Sequence, residues 1–176
     1  MTTSLATSSS ALAAARTVTG RFWQRDVYGL VALACVLFVV LTTLAMLLYP
    51  GGTIVDHTTQ GYRFFENYLS DLGVSRSRSG APNLPAMVCF MVALGSVGLA
   101  LGAFFVAFTR WCAGVPRALR LSRRAAVVGA ITALSFIGIA AAPRDLLYPE
   151  HIAFELVAFP TFLVAVALEI AALRAL

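Results

Sequence analysis

The side chains that could carry out chemistry fall in two short, widely separated stretches of the sequence. Ser70 and Asp71 lie in the first stretch, and Asp145, His151 and Glu155 lie in the second. A serine, a histidine and an aspartate are the residue types of a hydrolytic triad, in which the histidine takes the proton of the nucleophilic hydroxyl. The segment around Ser70 is not the Gly-x-Ser-x-Gly turn that exposes such a nucleophile, so the pattern gives a Ser70–His151–Asp145 triad little support.

A metal site is a second hypothesis for the same side chains. Catalytic zinc is held by three protein ligands and keeps one open position. His57 and His151 are the two histidines of the chain, and Asp71 or Glu155 could complete a ligand set. No His-Glu-x-x-His or comparable spacing joins them, and the three cysteines show no Cys-x-x-Cys spacing. The sequence therefore predicts no cofactor and fixes no metal ligand.

A structural role is the third hypothesis. Asp71 and Ser70 are residue types that cap helix ends, and Asp71 could instead pair with Arg63 or Arg144. Either arrangement would hold an outer loop against a helical bundle.

Ligand binding is the fourth hypothesis, with a lipid headgroup or small amphiphile in an outward-facing cavity. His151 and Glu155 are four residues apart and would share one helix face, with Glu155 about 6 Å deeper. An ionisable group at that depth needs a partner or a polar cavity. The candidate binding residues are Asp71, Asp145, His151 and Glu155.

The composition identifies the kind of protein that must position these groups. Of 176 residues, 60% are apolar and only 12% are charged, and the mean hydropathy is +0.86. A water-soluble enzyme, a nucleic-acid-binding module and a disordered chain are excluded, because none of them carries so few charges. All 13 basic residues are arginine, which is typical of a high-GC bacterial genome.

Four apolar runs are long enough to cross a bilayer, which takes about 20 residues. The sequence predicts an all-α polytopic bundle, following a flexible cytoplasmic tail at 1–26, within a transmembrane domain at 27–176. Nine of the 13 arginines fall on one side of the predicted spans, so that side and both termini are predicted to face the cytoplasm of a bacterial inner membrane. The predicted spans are 27–49, 84–108, 125–142 and 151–173.

The sequence also makes predictions for two loops and for the packing of one pair of helices. Apolar residues at helical spacing predict a short amphipathic helix at about 60–73 in the outer loop 50–83. Small residues at four-residue spacing predict close packing of the second and third spans. The inner loop 110–124 contains five arginines and no acidic residue. Its arginines either anchor the topology or bind anionic lipid headgroups, for which the candidates are Arg117, Arg120, Arg123 and Arg124.

The order of the polar motifs has a precedent. Asn67-Tyr68-Leu69-Ser70-Asp71-Leu72-Gly73 follows the first span, and Ala142-Pro143-Arg144-Asp145 ends the third span ahead of His151. Over residues 27–173 this order resembles the bacterial and archaeal membrane proteins known as the domain of unknown function 998 family. It is more distantly similar to FGF-receptor-activating-protein and DRAM-type membrane proteins. The resemblance implies a six-span fold, of which this chain would be a truncated part, and it marks Ser70, Asp71, Asp145 and His151 as the family's polar motif.

The functional expectation is a non-enzymatic membrane protein that binds lipid or serves as an accessory subunit. The alternative is a membrane-embedded, lipid-modifying hydrolase that uses the outer Asp/His cluster, with or without a metal. Membrane lipids are the expected partners, together with a membrane-protein partner or a second copy of the chain, and no nucleic acid is expected. A compact four-helix protein remains the alternative to a truncated six-span fold.

Overall fold

The chain folds into four long helices joined by one long and two short connections. The computed structural model describes residue 20 and residues 22–176, so most of the predicted tail at 1–26 lies outside the described residues. All four helices are long and apolar enough to span a membrane, and the described residues contain no β-strand, which confirms the all-α prediction. The helices are α1 (Val27–Leu48), α2 (Leu84–Trp111), α3 (Pro116–Ala141) and α4 (Tyr148–Leu173).

The third span begins earlier than the sequence indicated. We predicted its start at residue 125, after an inner loop at 110–124, but α3 begins at Pro116 and α2 extends to Trp111. A proline is well suited to the first turn of a helix, and arginine is a good helix former. The 26 residues of α3 reach about 39 Å, more than the roughly 30 Å of hydrocarbon, so its arginine-bearing first turns extend beyond the apolar layer.

Each helix packs against the next one along the chain, and α2 and α3 pack through glycine. A Cβ atom added to Gly98 would lie 2.9 Å from the carbonyl oxygen of Ala133, and one added to Gly129 would lie 2.2 Å from Phe105. These positions therefore accept only glycine without a shift. The predicted close packing is confirmed there, whereas Gly95 has open space around its Cα and takes no part.

The connection between α1 and α2 contains a short helix, but not the amphipathic one predicted over 60–73. A 3₁₀ helix covers only Leu69–Gly73. Phe65, predicted to face the apolar side, is 96% exposed, whereas Asn67 and Asp71, predicted to face water, are buried. Asn67 and Asp71 can be buried because both side chains form hydrogen bonds within the chain. A polar side chain buried there without such bonds would destabilise the fold.

The loop is fixed on the bundle by apolar and backbone contacts. Leu72 is fully buried in the core with Phe90 of α2 and Ile139 of α3. Gly73 does end the short helix as predicted, but its φ is not positive; a Cβ there would lie 2.5 Å from the Phe90 ring. The loop is therefore part of the folded core at the end of the bundle where α1 ends and α2 begins.

Candidate functional site

Asp71 joins the outer loop to the connection between α3 and α4. Its side chain is 1% exposed. The Arg78 guanidinium donates from Nε to Oδ2 and from Nη2 to Oδ1, both at 2.9 Å, and Arg144 Nη2 donates to Oδ1 at 3.2 Å. The bond with Asp71 raises the pKa of Arg78, because it stabilises the charged guanidinium. One buried carboxylate thus pairs with two cations from different segments.

Asp71 also accepts hydrogen bonds from residues of its own loop. The backbone N–H of Tyr68 donates to Oδ2 at 3.0 Å, and the Asn67 side-chain amide donates to the same atom at 3.3 Å. The guanidinium of Arg144 lies 5.3 Å from the Tyr68 ring centroid and adds a cation–π contact. Asp71 therefore caps the 3₁₀ helix and pairs with Arg144, as the structural hypothesis predicted, while Arg78 takes the place predicted for Arg63.

Asp145 makes a second attachment between the same two segments. It accepts hydrogen bonds from the backbone and hydroxyl of Ser75, at 3.0 and 2.5 Å, and from the backbone N–H of Arg76 at 3.1 Å. Burial raises the pKa of this carboxyl, but the bonds from Ser75 and Arg76 outweigh burial and lower the pKa overall. Asp145 is thus held as a carboxylate by the loop.

Several residues of this outer network were missed by sequence reasoning. The Asn83 side-chain amide donates to the carbonyls of Leu72 and Val74, and that of Asn67 donates to the carbonyl of Gly52. Ser75 and Arg78 were also given no role on the basis of the sequence. The length and polar composition of the loop could have indicated this network, since a long segment with few apolar residues can fold only if its polar groups form hydrogen bonds with one another.

His151 and Glu155 form a different kind of pair, on the first turns of α4. His151 is buried, and its Nδ1 donates to the carbonyl oxygen of Ala142 at 2.6 Å, which fixes the ring at the end of α3. Its Nε2 lies 3.2 Å from Oε1 of Glu155 without making a hydrogen bond. The Glu155 side chain is 31% exposed. Unlike Asp71 and Asp145, these two groups keep unused hydrogen-bonding capacity.

Glu155 also borders a cavity of about 220 Å³ between the 3₁₀ helix and helices α2, α3 and α4. Its polar rim consists of Tyr68, Ser70 and Glu155. The rest of the wall is apolar, from Leu69, Phe90, Leu94, Phe136, Ile139 and Phe159. We call this space the outer cavity. It brings Ser70 and Glu155 together beside His151, and it leaves Asp71 and Asp145 outside its lining.

Neither the predicted triad nor the predicted metal site assembles among the described residues. Asp145 bonds to Ser75 and Arg76, and His151 bonds to Ala142, so no hydrogen bond links Ser70, His151 and Asp145 there. His57 donates from Nδ1 to the carbonyl of Arg78 at 2.7 Å. Within residues 22–176 no three His, Cys, Asp or Glu side chains form a group that could hold a metal ion.

No family model, curated protein or solved structure matches this chain. The resemblance to the domain of unknown function 998 family therefore stays a prediction, and function is inferred from the geometry of the sites.

At the end of the bundle predicted to face the cytoplasm, where α3 begins and α4 ends, exposed arginines border two adjoining cavities. The cavities measure about 290 and 270 Å³ and share Arg117 and Ala171. Arg120 and Arg124 line the first, and Arg174 lines the second. Arg123 points to a separate, apolar recess beside Val127 and Val128. Three of the four arginines predicted to contact lipid therefore share one groove, which we call the inner arginine groove.

Proposed function

We propose that this integral membrane protein binds a lipid with an amine headgroup in the outer cavity, without converting it chemically. One observation carries the proposal: the cavity combines an apolar wall with a single carboxylate, Glu155, whose neighbour His151 is also short of a partner. Amphiphiles have this same division into an apolar and a polar part.

The His151–Glu155 pair selects for a headgroup that donates hydrogen bonds. Nδ1 of His151 donates to Ala142, and Nε2 lies 3.2 Å from the Glu155 carboxylate: a protonated ring forms an ion pair there, whereas a neutral ring presents the lone pair of Nε2 to the carboxylate. Two acceptors that face each other are unfavourable, and a primary amine would donate to both. An ammonium headgroup also adds a charge-assisted bond to Glu155, which is typically about twice as strong as a neutral one.

The dimensions of the cavity favour one part of a lipid over a whole one. Pockets that enclose drug-sized ligands measure about 300–1,000 Å³, more than the 220 Å³ found here. The headgroup and the first carbons of a chain would fill it. The remaining chain would lie along the exposed apolar face of α4, where Leu156 and Leu163 point outward.

The proposal is tested by native mass spectrometry of the detergent-solubilised protein, titrated with lysophosphatidylethanolamine or lysophosphatidylglycerol. We expect tighter binding of the amine lipid, and a loss of about tenfold or more in Glu155→Gln, because a charge-assisted hydrogen bond contributes about 1.5–3 kcal/mol. Glu150→Gln is the matched control, since Glu150 is an exposed carboxylate on the same helix. Equal affinities of the wild type and Glu155→Gln would refute the proposal.

A lipid hydrolase is the second candidate. The observation in its favour is that the Ser70 hydroxyl lines the same cavity as Glu155, next to a histidine whose ring is already oriented by Ala142. In that case the wild type, incubated with phosphatidylethanolamine vesicles, would release lysolipid or headgroup, and both Ser70→Ala and His151→Ala would stop the release while remaining folded.

The inner arginine groove supports the proposed orientation. Its arginines border apolar floors and have no carboxylate among the lining residues, which suits anionic phospholipid headgroups at the cytoplasmic side. We therefore propose that the inner ends of α3 and α4 contact anionic lipid, with both termini in the cytoplasm of a bacterial cell.

A further inference from the structure

A second carboxyl group without a full set of partners lies at the opposite end of α4. Glu169 is 5% exposed, and its Oε1 accepts a hydrogen bond from the Ser122 hydroxyl of α3 at 3.1 Å. Its Oε2 is buried and has no hydrogen-bond partner. No arginine or histidine within residues 22–176 forms an ion pair with it. This group lies far along the helix from Glu155 and belongs to no site described above.

The surroundings of Glu169 supply hydroxyl and thiol groups but no cation. On α1, the ring of Tyr28 packs edge-on against Trp111, and its buried hydroxyl makes no hydrogen bond to Glu169. Beyond the end of α2, Cys112 is fully buried, and its pKa is raised, mainly by burial and further by the charge of Glu169. The thiol is therefore protonated and neutral at neutral pH. Ser122, from α3, does not titrate.

An ionised Glu169 would be an uncompensated charge in a membrane-spanning helix. Such a charge costs several kcal/mol, and one hydroxyl bond does not offset that. A bound cation such as Na⁺ would need several oxygen ligands, whereas the side chains identified around Glu169 offer its own carboxylate and two hydroxyls. A proton needs only one acceptor.

We propose that Glu169 is a proton-binding site of the membrane interior, occupied at neutral pH and supplied from the cytoplasmic end. The proton lies on Oε2, the buried carboxyl oxygen that has no hydrogen-bond partner, while Oε1 accepts the hydrogen bond from Ser122. Release of the proton would place a charge between α3 and α4. This site would therefore make the packing of the inner end sensitive to cytoplasmic pH.

Infrared spectroscopy of the full chain in liposomes tests this directly. The difference between the wild type and Glu169→Gln at neutral pH should contain the C=O stretching band of a protonated carboxylic acid, which a carboxylate lacks. Glu155→Gln, at the other end of the helix, should leave the band unchanged.

Chemical labelling provides the second measurement. Dicyclohexylcarbodiimide reacts with protonated carboxyl groups in apolar surroundings, so intact-mass analysis should find one adduct that maps to Glu169 at neutral pH and diminishes as the pH rises. The adduct should be absent in Glu169→Gln and present in Glu155→Gln. A carboxylate band in place of the acid band at neutral pH would overturn the proposal whether or not labelling occurs.

Discussion

The replacement Asp71→Asn tests whether the outer loop is held by its buried carboxylate. Asparagine keeps the shape of the side chain but removes the charge and replaces one oxygen with a donor group. That group would face Arg78 in either orientation, because Arg78 bonds to both oxygens, and it would also face Arg144 if it replaced Oδ1; a guanidinium, too, can only donate. At least one of the two guanidiniums would therefore lose its bond and retain an uncompensated charge.

The size of the effect follows from burial. Removing one partner of a buried ion pair costs about 3–5 kcal/mol. Asp71 is 1% exposed, but the side chains of Arg78 and Arg144 are 21% and 20% exposed, so water can partly solvate them. We therefore expect the free energy of unfolding to fall by about 3 kcal/mol, the lower end of that range. In a chain of this size that loss corresponds to a melting temperature lower by about 6–12 °C.

The assay is thermal unfolding in detergent, combined with limited trypsin digestion of the loop that contains Arg76 and Arg78. Asp71→Asn should melt earlier and be cleaved faster. Asp56→Asn is the control, because Asp56 is exposed and its side chain accepts hydrogen bonds within its own turn, from Thr58. If Asp71→Asn melts within roughly 1 °C of the wild type and resists trypsin equally, the buried pair does not hold the loop.

Three further predictions concern other parts of the chain. The folded-state pKa of Asp145 is lowered from 3.8, so the Asp145 carboxylate contributes fully to loop stability above pH 3.8, and that contribution is lost as the pH falls through the folded-state pKa. Pepsin should therefore cleave the wild-type loop faster as the pH falls. In Asp145→Asn this pH dependence should be absent, because asparagine does not titrate. Gly129→Ala should destabilise by about 1–3 kcal/mol, seen as a lower melting temperature that Phe105→Leu partly restores, because the new Cβ would lie 2.2 Å from that ring. Thr58→Cys, in the exposed loop between α1 and α2, should react with a membrane-impermeant maleimide in intact cells, whereas Ala113→Cys, in the exposed connection between α2 and α3, should not; the reverse pattern would invert the proposed orientation.

The spans were predictable because long apolar runs carry their own signal. The start of α3 was not, since the arginines between residues 117 and 124 were assigned to a loop on charge alone. Hydropathy locates the part of a helix that lies in hydrocarbon, and it carries no information about the turns that extend beyond it. Pro116 was the local signal that marked the true start.

The outer loop was harder to predict because its order depends on long-range hydrogen bonds. Periodicity placed Asn67 and Asp71 on a water-facing side, but both are buried. Their partners include Gly52 and Arg144, which are 15 and 73 residues away along the chain. The pattern of residue types in one segment cannot reveal partners at such separations, so the loop's buried network becomes visible only in the fold.

The carboxyl groups of this chain separate the parts that hold the fold from the parts that are open to a ligand. Asp71 and Asp145 accept several hydrogen bonds each from within the chain, so they offer little to an outside molecule. Glu155 and Glu169 lie on one helix, near its two ends; Nε2 of His151 lies 3.2 Å from Glu155, and no cation is bonded to Glu169 among the described residues. A carboxyl group with few partners is costly inside a membrane, and the surroundings of these two favour different ligands: the outer cavity suits the proposed amine headgroup at Glu155, and the few oxygen ligands around Glu169 suit a proton.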